Sequence, residues 1–241
     1  MLMRLIACLL LIVTCSSLAN ESKALEISKV VDGIYQHTSY QHVEGYGQVG
    51  SHGLILIEGK NAYLVDTPWT NQDTQALYQW LIDKGLTLVA SISTHAHQDR
   101  TGGLGYLNEQ GINTLVFDKT QSILRNENKT LAKTSFSSNE YQLLKGRIEL
   151  FYPGAGHAKD NVVVYFPKEK LLFGGCLVRS GNWKTLGNTA DADIDEWAQS
   201  ITRVQRRYPN IDIVIPGHGK MGDQQLLDHT ISLVHQYQNK H

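Results

Sequence analysis

The chain has 241 residues, of which 41% are hydrophobic and 19% charged, and its formal net charge is -1 at pH 7. This composition is typical of a globular protein with a sizeable core and excludes a disordered chain. The near-neutral charge gives no electrostatic basis for binding nucleic acid or an anionic membrane surface.

The N-terminal segment has the pattern of a signal peptide. A positive charge at Arg4 precedes the apolar run 5–13, and small residues follow as far as Ala19. The run is too short to span a bilayer comfortably. We therefore predict a signal peptide over 1–19 and a single domain over 20–241. An exported, periplasmic protein without stable membrane insertion is expected.

Cleavage after Ala19 leaves Cys176 as the one thiol of the mature chain. It then cannot form an internal disulfide in an oxidising compartment. A lone exported cysteine is either buried and inert or functional, and its neighbours decide which. Lipid attachment at Cys15 is an alternative to simple cleavage, but the preceding Thr14 makes a poor lipobox.

Short apolar strands and helices alternate along the rest of the chain. Strands are predicted at 26–31, 33–38, 53–57, 62–65, 86–92, 114–117, 148–152, 161–166, 170–174 and 211–215. Helices are predicted at 73–84, 104–110, 120–126, from Asp193 onward and at 226–238. Asp193 and Glu196 have the spacing of a capping box at the start of the fourth helix. Strands flanked by helices in both halves predict an α/β protein with two sheets and outer helices.

Metal-binding side chains recur in glycine-containing loops next to predicted strands. Five of the ten histidines are interpreted as surface or internally hydrogen-bonded residues: His37, His42, His229, His235 and His241. The residues in loops beside strands and glycines are His95, His97, Asp99, His157, Cys176 and His218. Polar residues at such positions are typical of sites in α/β proteins.

These six donors are too many for one tetrahedral zinc ion, and a closed structural site takes four. Two sets of three donors would leave each metal an open position, as catalytic zinc requires. One division places His95, His97 and His157 together and leaves Asp99, Cys176 and His218 as the second set. Spacing alone does not decide between this division and others.

The four motifs "THAHQD", "GAGH", "GGC" and "PGHG", in this order, resemble those of class B metallo-β-lactamases. The resemblance covers essentially the whole mature chain. It implies an αββα sandwich of two mixed β-sheets flanked by outer helices, the metallo-β-lactamase fold. It also implies two Zn²⁺ ions at one edge, held in the two groups given above.

Details of the motifs favour subclass B1. Many hydrolases of this fold, including thiolester hydrolases, carry a metal-binding histidine directly after the motif aspartate, where this chain has Arg100. Asp99, Cys176 and His218 match the second zinc site of subclass B1. The retained His95 argues against the single-zinc subclass, which has asparagine there. We expect Arg100 to support the ligands near Cys176 and not to touch substrate.

The resemblance also suggests substrate-binding residues. Arg179 takes the place of a lysine that pairs with the substrate carboxylate, and an exposed loop charge is the alternative interpretation. Asn188 matches an asparagine near the lactam carbonyl, or is an ordinary turn residue. Tyr46, in "VEGYGQVGSH", resembles an aromatic residue of a hairpin that covers the site, or is a plain loop aromatic. Trp183 is a further candidate contact.

The implied function is zinc-dependent opening of the lactam ring of penicillins, cephalosporins and carbapenems, which confers antibiotic resistance. A zinc ion lowers the pKa of bound water from about 15.7 to roughly 7, so attack by zinc-bound hydroxide is predicted. Asp99 and Asn188 are the predicted catalytic residues, and the serine motifs S-x-x-K and G-x-S-x-G are absent. Another hydrolase of this fold, acting on a thiolester or phosphodiester, or a non-catalytic zinc-binding protein are the alternatives. No long heptad or apolar tail predicts an oligomer, so a monomer is expected.

Overall fold

The structure, a computed structural model, describes residues 23–240, and its strands form two mixed sheets. The predicted signal peptide over 1–19 lies outside the described residues. The strands of the first sheet, in spatial order, are β1 (Glu26–Val31), β2 (Ile34–Val43), β3 (Gly47–Glu58), β4 (Asn61–Val65), β5 (Thr87–Ser93), β6 (Asn113–Phe117) and β7 (Thr134–Phe136). Neighbours from β1 to β4 are antiparallel, and those from β4 to β7 are parallel.

The second sheet has the spatial order β12-β11-β10-β9-β8. Its strands are β8 (Glu140–Leu144), β9 (Ile148–Phe151), β10 (Val163–Phe166), β11 (Leu171–Gly175) and β12 (Ile213–Pro216). The pair β11–β12 is parallel and the other pairs are antiparallel.

Helices pack on the outer face of each sheet. They are α1 (Asn71–Asp83), α2 (Gln98–Thr101), α3 (Leu104–Glu109), α4 (Asp118–Asn126), α5 (Ile194–Arg207) and α6 (Gln225–Gln238). Leu77 of α1 and Leu107 of α3 pack on the first sheet, whereas Trp197 of α5 and Leu227 of α6 pack on the second. The predicted αββα sandwich is therefore confirmed. Within the described residues, none of the helices has both the length and the apolar character needed to cross a membrane.

Apolar side chains point to both faces of each sheet and form three core layers. One lies between the two sheets, and one lies between each sheet and its helices. In β3, Leu54 and Leu56 face the second sheet while Ile55 faces the helices. In β11, Phe173 faces the first sheet while Leu172 faces α5 and α6. Successive residues of a strand point to opposite faces, so a strand covered on both sides is apolar throughout. Each such buried side chain stabilises the fold by roughly 1.5–3 kcal/mol.

Helix α5 begins at the residue that the sequence predicts. The Asp193 carboxylate accepts a hydrogen bond from the Glu196 backbone N–H at 3.0 Å, which caps the helix. The Glu196 side chain pairs with Arg203 and does not complete the capping box. Instead, the Asp193 N–H donates to the Gly156 carbonyl at 2.8 Å. The cap thus ties α5 to the loop that carries His157.

The carboxyl ends of β5, β11 and β12 lie at one edge of the sandwich. His95 follows β5, Cys176 follows β11, and His218 follows β12 by two residues. The two sheets are joined here by backbone hydrogen bonds, from His52 N–H to the Gly217 carbonyl and from Val162 N–H to the Thr94 carbonyl, each 2.9 Å long. This edge carries the candidate site.

One of the histidines predicted to be unremarkable lies inside the first sheet. His37 is buried, and its Nε2 donates to the Asp66 carbonyl at 2.9 Å. Burial lowers the pKa of His37 to about 4, and the charges of Arg100 and His52 act in the same direction. The unfolded chain takes up this proton near pH 6.5 and the folded chain only near pH 4. The contribution of His37 is therefore complete above pH 6.5 and declines as the pH falls toward 4.

We predict that His37→Gln, which can still donate to the Asp66 carbonyl, flattens the acid side of the stability profile. Between about pH 7.5 and pH 5, the variant should lose about 2 kcal/mol less free energy of unfolding than the parent protein. Urea unfolding at the two pH values measures this difference. The exposed His42→Gln is the control and should behave as the parent. Equal losses in all three proteins would contradict the burial of a neutral imidazole at position 37.

Candidate metal centre and substrate cavity

Three histidines from two loops form the first donor group. His95 and His97 follow β5, with Ala96 between them turned into the core, and His157 lies in the loop between β9 and β10. One ring nitrogen from each histidine lies within 4.8 Å of the other two. His95 and His157 are buried, and His97 is partly open to the cavity described below.

The protonation of this group suits a cation. Burial, reinforced by the neighbouring histidines, holds the pKa values of His95 and His157 well below the usual range, so both rings are neutral. The buried Nε2 of His95 has no hydrogen-bond partner among the described residues. His157 Nε2 and His97 Nδ1 face each other at 3.2 Å. Neutral imidazoles with converging lone pairs are what a zinc ion requires.

The second donor group consists of Asp99, Cys176 and His218, with donor atoms also within 4.8 Å of one another. His218 Nε2 lies 3.1 Å from the Asp99 carboxylate and 3.4 Å from Cys176 Sγ. The other ring nitrogen, Nδ1, lies 2.8 Å from the Gly50 carbonyl and donates to it, which fixes the orientation of the ring. Burial opposes a charged His218, but Cys176 and Asp99 outweigh it and raise its pKa to about 9. The group therefore favours a cation at the point where its donors converge.

Arg100 lies behind the second group and is fully buried. Its guanidinium contacts Cys176 Sγ at 3.0 Å, the Asp99 carboxylate at 2.7 Å and the Asp66 carboxylate at 3.2 Å. Burial disfavours its charge, but Asp99, Cys176 and Asp66 together raise the pKa of Arg100, so it remains charged. In turn, burial would raise the pKa of Asp99, but Arg100 and His218 hold it well below its usual range. Arg100 thus contacts Asp99 and Cys176 and does not line the cavity, an arrangement that fits the predicted supporting role.

A cavity of about 300 Å³ opens beside both groups. His97, His157, Asp99 and His218 line it, together with the three predicted substrate-binding residues: Tyr46, Arg179 and Asn188. Tyr46 is 54% exposed, at the β2–β3 turn. The side-chain oxygen of Asn188, Oδ1, accepts a hydrogen bond from the Ala190 backbone N–H at 3.1 Å. The side-chain N–H₂ group is left for a ligand. Asn188 therefore both stabilises a turn in its loop and lines the cavity.

Comparison with known proteins identifies the family. The model of the metallo-beta-lactamase superfamily matches residues 141–218. The metallo-beta-lactamase type 2 of Pseudomonas aeruginosa is 40% identical over 206 residues, which cover 86% of this chain and 82% of that protein. The chain belongs to the metallo-β-lactamase family. A type 2 enzyme of Elizabethkingia meningoseptica is 34% identical over 227 residues, which cover 93% of this metallo-β-lactamase and 91% of that protein.

Solved structures agree with this family. The DIM-1 metallo-β-lactamase exposed to ceftazidime superposes with a TM-score of 0.89 at 48% identity, over 90% of this chain and 100% of that chain. TMB-1 superposes with a TM-score of 0.88 at 44% identity, over the same shares. The predicted family, including its type 2 or B1 subclass, is confirmed, and so is its fold.

Several residues of this metallo-β-lactamase site carried no sequence signal. They are Asp66, Trp69, Lys129 and Asp191. Asp191 lies in a loop far along the chain, yet its carboxylate accepts a hydrogen bond from His97 Nε2 at 3.0 Å. This contact leaves His97 Nδ1, which faces His157, as the free lone pair. A carboxylate in a polar loop looks like any solvated acid until the fold places it beside a ligand.

We predict that Asp191→Ala weakens zinc binding to the three-histidine group about 10- to 100-fold, because His97 loses the partner that fixes its orientation. Competition with a chromophoric chelator measures the affinity. Asp191→Asn keeps an acceptor oxygen and should recover part of the loss. Asp195→Ala, which removes an exposed acid from the first turn of α5, is the matched control. An affinity in Asp191→Ala equal to that of the control would exclude the supporting role.

Proposed function

We propose that this metallo-β-lactamase hydrolyses the lactam ring of β-lactam antibiotics with two zinc ions. His95, His97 and His157 would hold one ion, and the group of Asp99, Cys176 and His218 would hold the other. The observation that carries the proposal is that two separate three-donor groups border one open cavity. When bound, each zinc supplies Lewis acidity and lowers the pKa of coordinated water to about 7.

Side chains around the cavity would bind and orient the substrate. The Arg179 guanidinium would pair with the substrate carboxylate in a planar, two-point contact. The Asn188 amide would donate to the lactam carbonyl oxygen, where negative charge develops during attack. The Tyr46 ring would cover an apolar part of the drug. Each group lines the same cavity as four of the six donors, which supports this arrangement.

Asp99 would also orient the attacking water. Its carboxylate lies at the cavity wall and stays ionised beside Arg100, so it can accept a hydrogen bond from water. The oxygen of that water would then point at the carbonyl carbon. This positioning role requires no change in the charge of Asp99 during the reaction.

The substrate range proposed is penicillins, cephalosporins and carbapenems. The structural neighbour DIM-1 was exposed to ceftazidime, and this supports a β-lactam as the ligand of the cavity. The alternatives are hydrolysis of a thiolester or phosphodiester, and zinc binding without turnover. Arg100 argues against the first, because it fills the place of a further histidine ligand.

Hydrolysis of a penicillin, a cephalosporin and a carbapenem by the purified protein tests the proposal. We expect turnover that requires added zinc, that EDTA abolishes and that zinc restores. A thiolester and a phosphodiester serve as comparison substrates. Faster turnover of either comparison substrate would indicate a different hydrolase, and zinc binding without any turnover would indicate a binding protein.

We further propose that the protein is exported, with cleavage after Ala19, and acts in the periplasm as a monomer. The charged, apolar and small-residue segments of 1–19 support export. The mass of the mature protein from periplasmic extracts tests the cleavage site. A lipid-modified Cys15 would give a larger mass and a membrane-bound fraction.

A further inference from the structure

Arg179 is an unusual arginine because its charge is buried without an anionic partner among the described residues. Only 5% of the residue is exposed. Its Nε lacks any hydrogen-bond partner, and no described residue accepts a hydrogen bond from its guanidinium or lies at ion-pair distance as a carboxylate. A buried charge of this kind is costly unless an anion completes it. This excludes the exposed loop charge as an interpretation.

An aromatic ring holds the guanidinium in place. Arg179 Cζ lies 4.2 Å from the centre of the Trp183 ring. A planar guanidinium stacked on an aromatic face keeps its N–H groups directed outward from its edge. The contact therefore restricts the movement of the Arg179 guanidinium and leaves its donors free at the cavity.

Gly187 completes the clamp, because it lies against both the guanidinium and the Trp183 ring. A Cβ at this position would lie 2.7 Å from an Arg179 terminal nitrogen and 3.5 Å from the Trp183 ring. Gly187 also has φ of +70°, a left-handed conformation that other residues adopt at a cost. Both space and backbone conformation thus require glycine here. Gly219 leaves space for the Trp183 ring, since a Cβ there would lie 2.8 Å from Trp183 Nε1.

We propose that Trp183 is a positioning residue, which with Gly187 clamps the Arg179 guanidinium so that its edge presents a carboxylate-binding site to the substrate. This inference rests on the proposed function and assigns Trp183 a role through Arg179, not through direct contact with the drug. A guanidinium on a flexible stem would otherwise have to be ordered each time a substrate binds. With the clamp, the guanidinium is already ordered in the folded protein before a substrate binds.

A substrate pair isolates the carboxylate contact. A cephalosporin and its methyl ester differ only in the charge that Arg179 would bind. In Trp183→Leu, we expect KM for the acid to rise about tenfold, with KM for the ester and both kcat values little changed. Trp183→Phe keeps an aromatic face and should restore most of the affinity. Trp80→Leu is the matched control, because Trp80 lies in α1, away from the cavity, with Lys84 Nζ 4.8 Å from the centre of its ring. It should change KM for neither substrate.

A double variant tests whether Trp183 acts through Arg179. Arg179→Met should raise KM for the acid alone, and adding Trp183→Leu to it should have no further effect on the ratio of the two KM values. Equal rises for acid and ester in Trp183→Leu would show that the ring contacts the drug directly and would overturn the inference. So would an unchanged ratio in Trp183→Leu or in Arg179→Met.

Gly187→Ala would push a methyl group against the Arg179 guanidinium, and it keeps the inference testable if Trp183→Leu fails to fold. It too should raise KM for the acid selectively. Zinc content and melting temperature of each variant show whether the fold and metal site are intact. Failure of the proposed function is separate, because the parent protein would then hydrolyse neither the acid nor the ester.

Discussion

Replacing Arg100 with methionine is expected to lower the free energy of unfolding by about 3–5 kcal/mol, the range for breaking a buried ion pair by removing one partner. Arg100 is fully buried and contacts the carboxylates of Asp66 and Asp99 as well as Cys176 Sγ. Methionine fills part of the volume but leaves those anionic groups without their cation. Urea unfolding of the zinc-loaded protein measures the loss.

A second variant distinguishes the effect of the lost Arg100 charge on stability from the effect of its lost packing. Asp66→Asn in the Arg100→Met background removes one of the unpaired carboxylates and should recover part of the stability. Arg147→Met is the control, since Arg147 also pairs with two carboxylates, Glu58 and Glu169, but its side chain is 15% exposed, so water replaces part of the lost contacts and a smaller loss is expected. If Arg100→Met destabilised no more than Arg147→Met, the buried network would not hold the ligands as described.

The sequence predicts those elements of this protein that follow a local sequence pattern. Strands such as β11 and β12 are short apolar runs ended by glycine or proline, and α5 has both a capping aspartate and a helical apolar period. Cys176 directly follows β11, and His95, His97 and His218 lie within four residues of the ends of β5 and β12. Because the strand ends can be located, the site edge can be located too.

Other elements depend on partners that are distant in sequence. Strand β8 is largely exposed at the edge of the second sheet, so it lacks the apolar alternation that reveals a strand, and β7 has only three residues. Neither was predicted. The β2–β3 hairpin continues beyond the predicted strands to a turn at Val43–Gly47, because the two long strands pair with each other over polar residues.

The division of six donors into two groups is also a property of the fold. Three donors lie within five residues in "THAHQD", but the main chain turns into α2 after His97. This turn sends His95 and His97 toward His157 and sends Asp99 toward Cys176. The resemblance implied this grouping, whereas spacing could not. The roles of Asp66 and Asp191 could not be predicted either, because they depend on contacts between residues distant in sequence. Asp66, which has a left-handed φ of 58°, contacts Thr94 and Arg100. Asp191 contacts His97.

Cys176→Ala is expected to remove one of two zinc ions and to lower β-lactam hydrolysis more than about 100-fold. Even the loss of an outer partner of a metal ligand costs 10- to 100-fold in affinity or activity, and here a ligand itself is lost. Cys176 is 2% exposed, and its Sγ lies 3.4 Å from His218 Nε2. It is the single cysteine of residues 23–240, so no other thiol among them can replace it. Zinc per protein, by elemental analysis after dialysis, and kcat/KM give the two readouts.

Matched variants assign the lost ion to its group. His218→Ala should lose the same ion as Cys176→Ala, while His157→Ala should lose the other, and a variant lacking both Cys176 and His157 should bind neither tightly. The exposed His235→Ala, a histidine outside both groups, should retain both ions and full activity. If Cys176→Ala still bound two zinc ions with native affinity and kept full activity, Cys176 would be a buried thiol and the second group would be wrongly assigned.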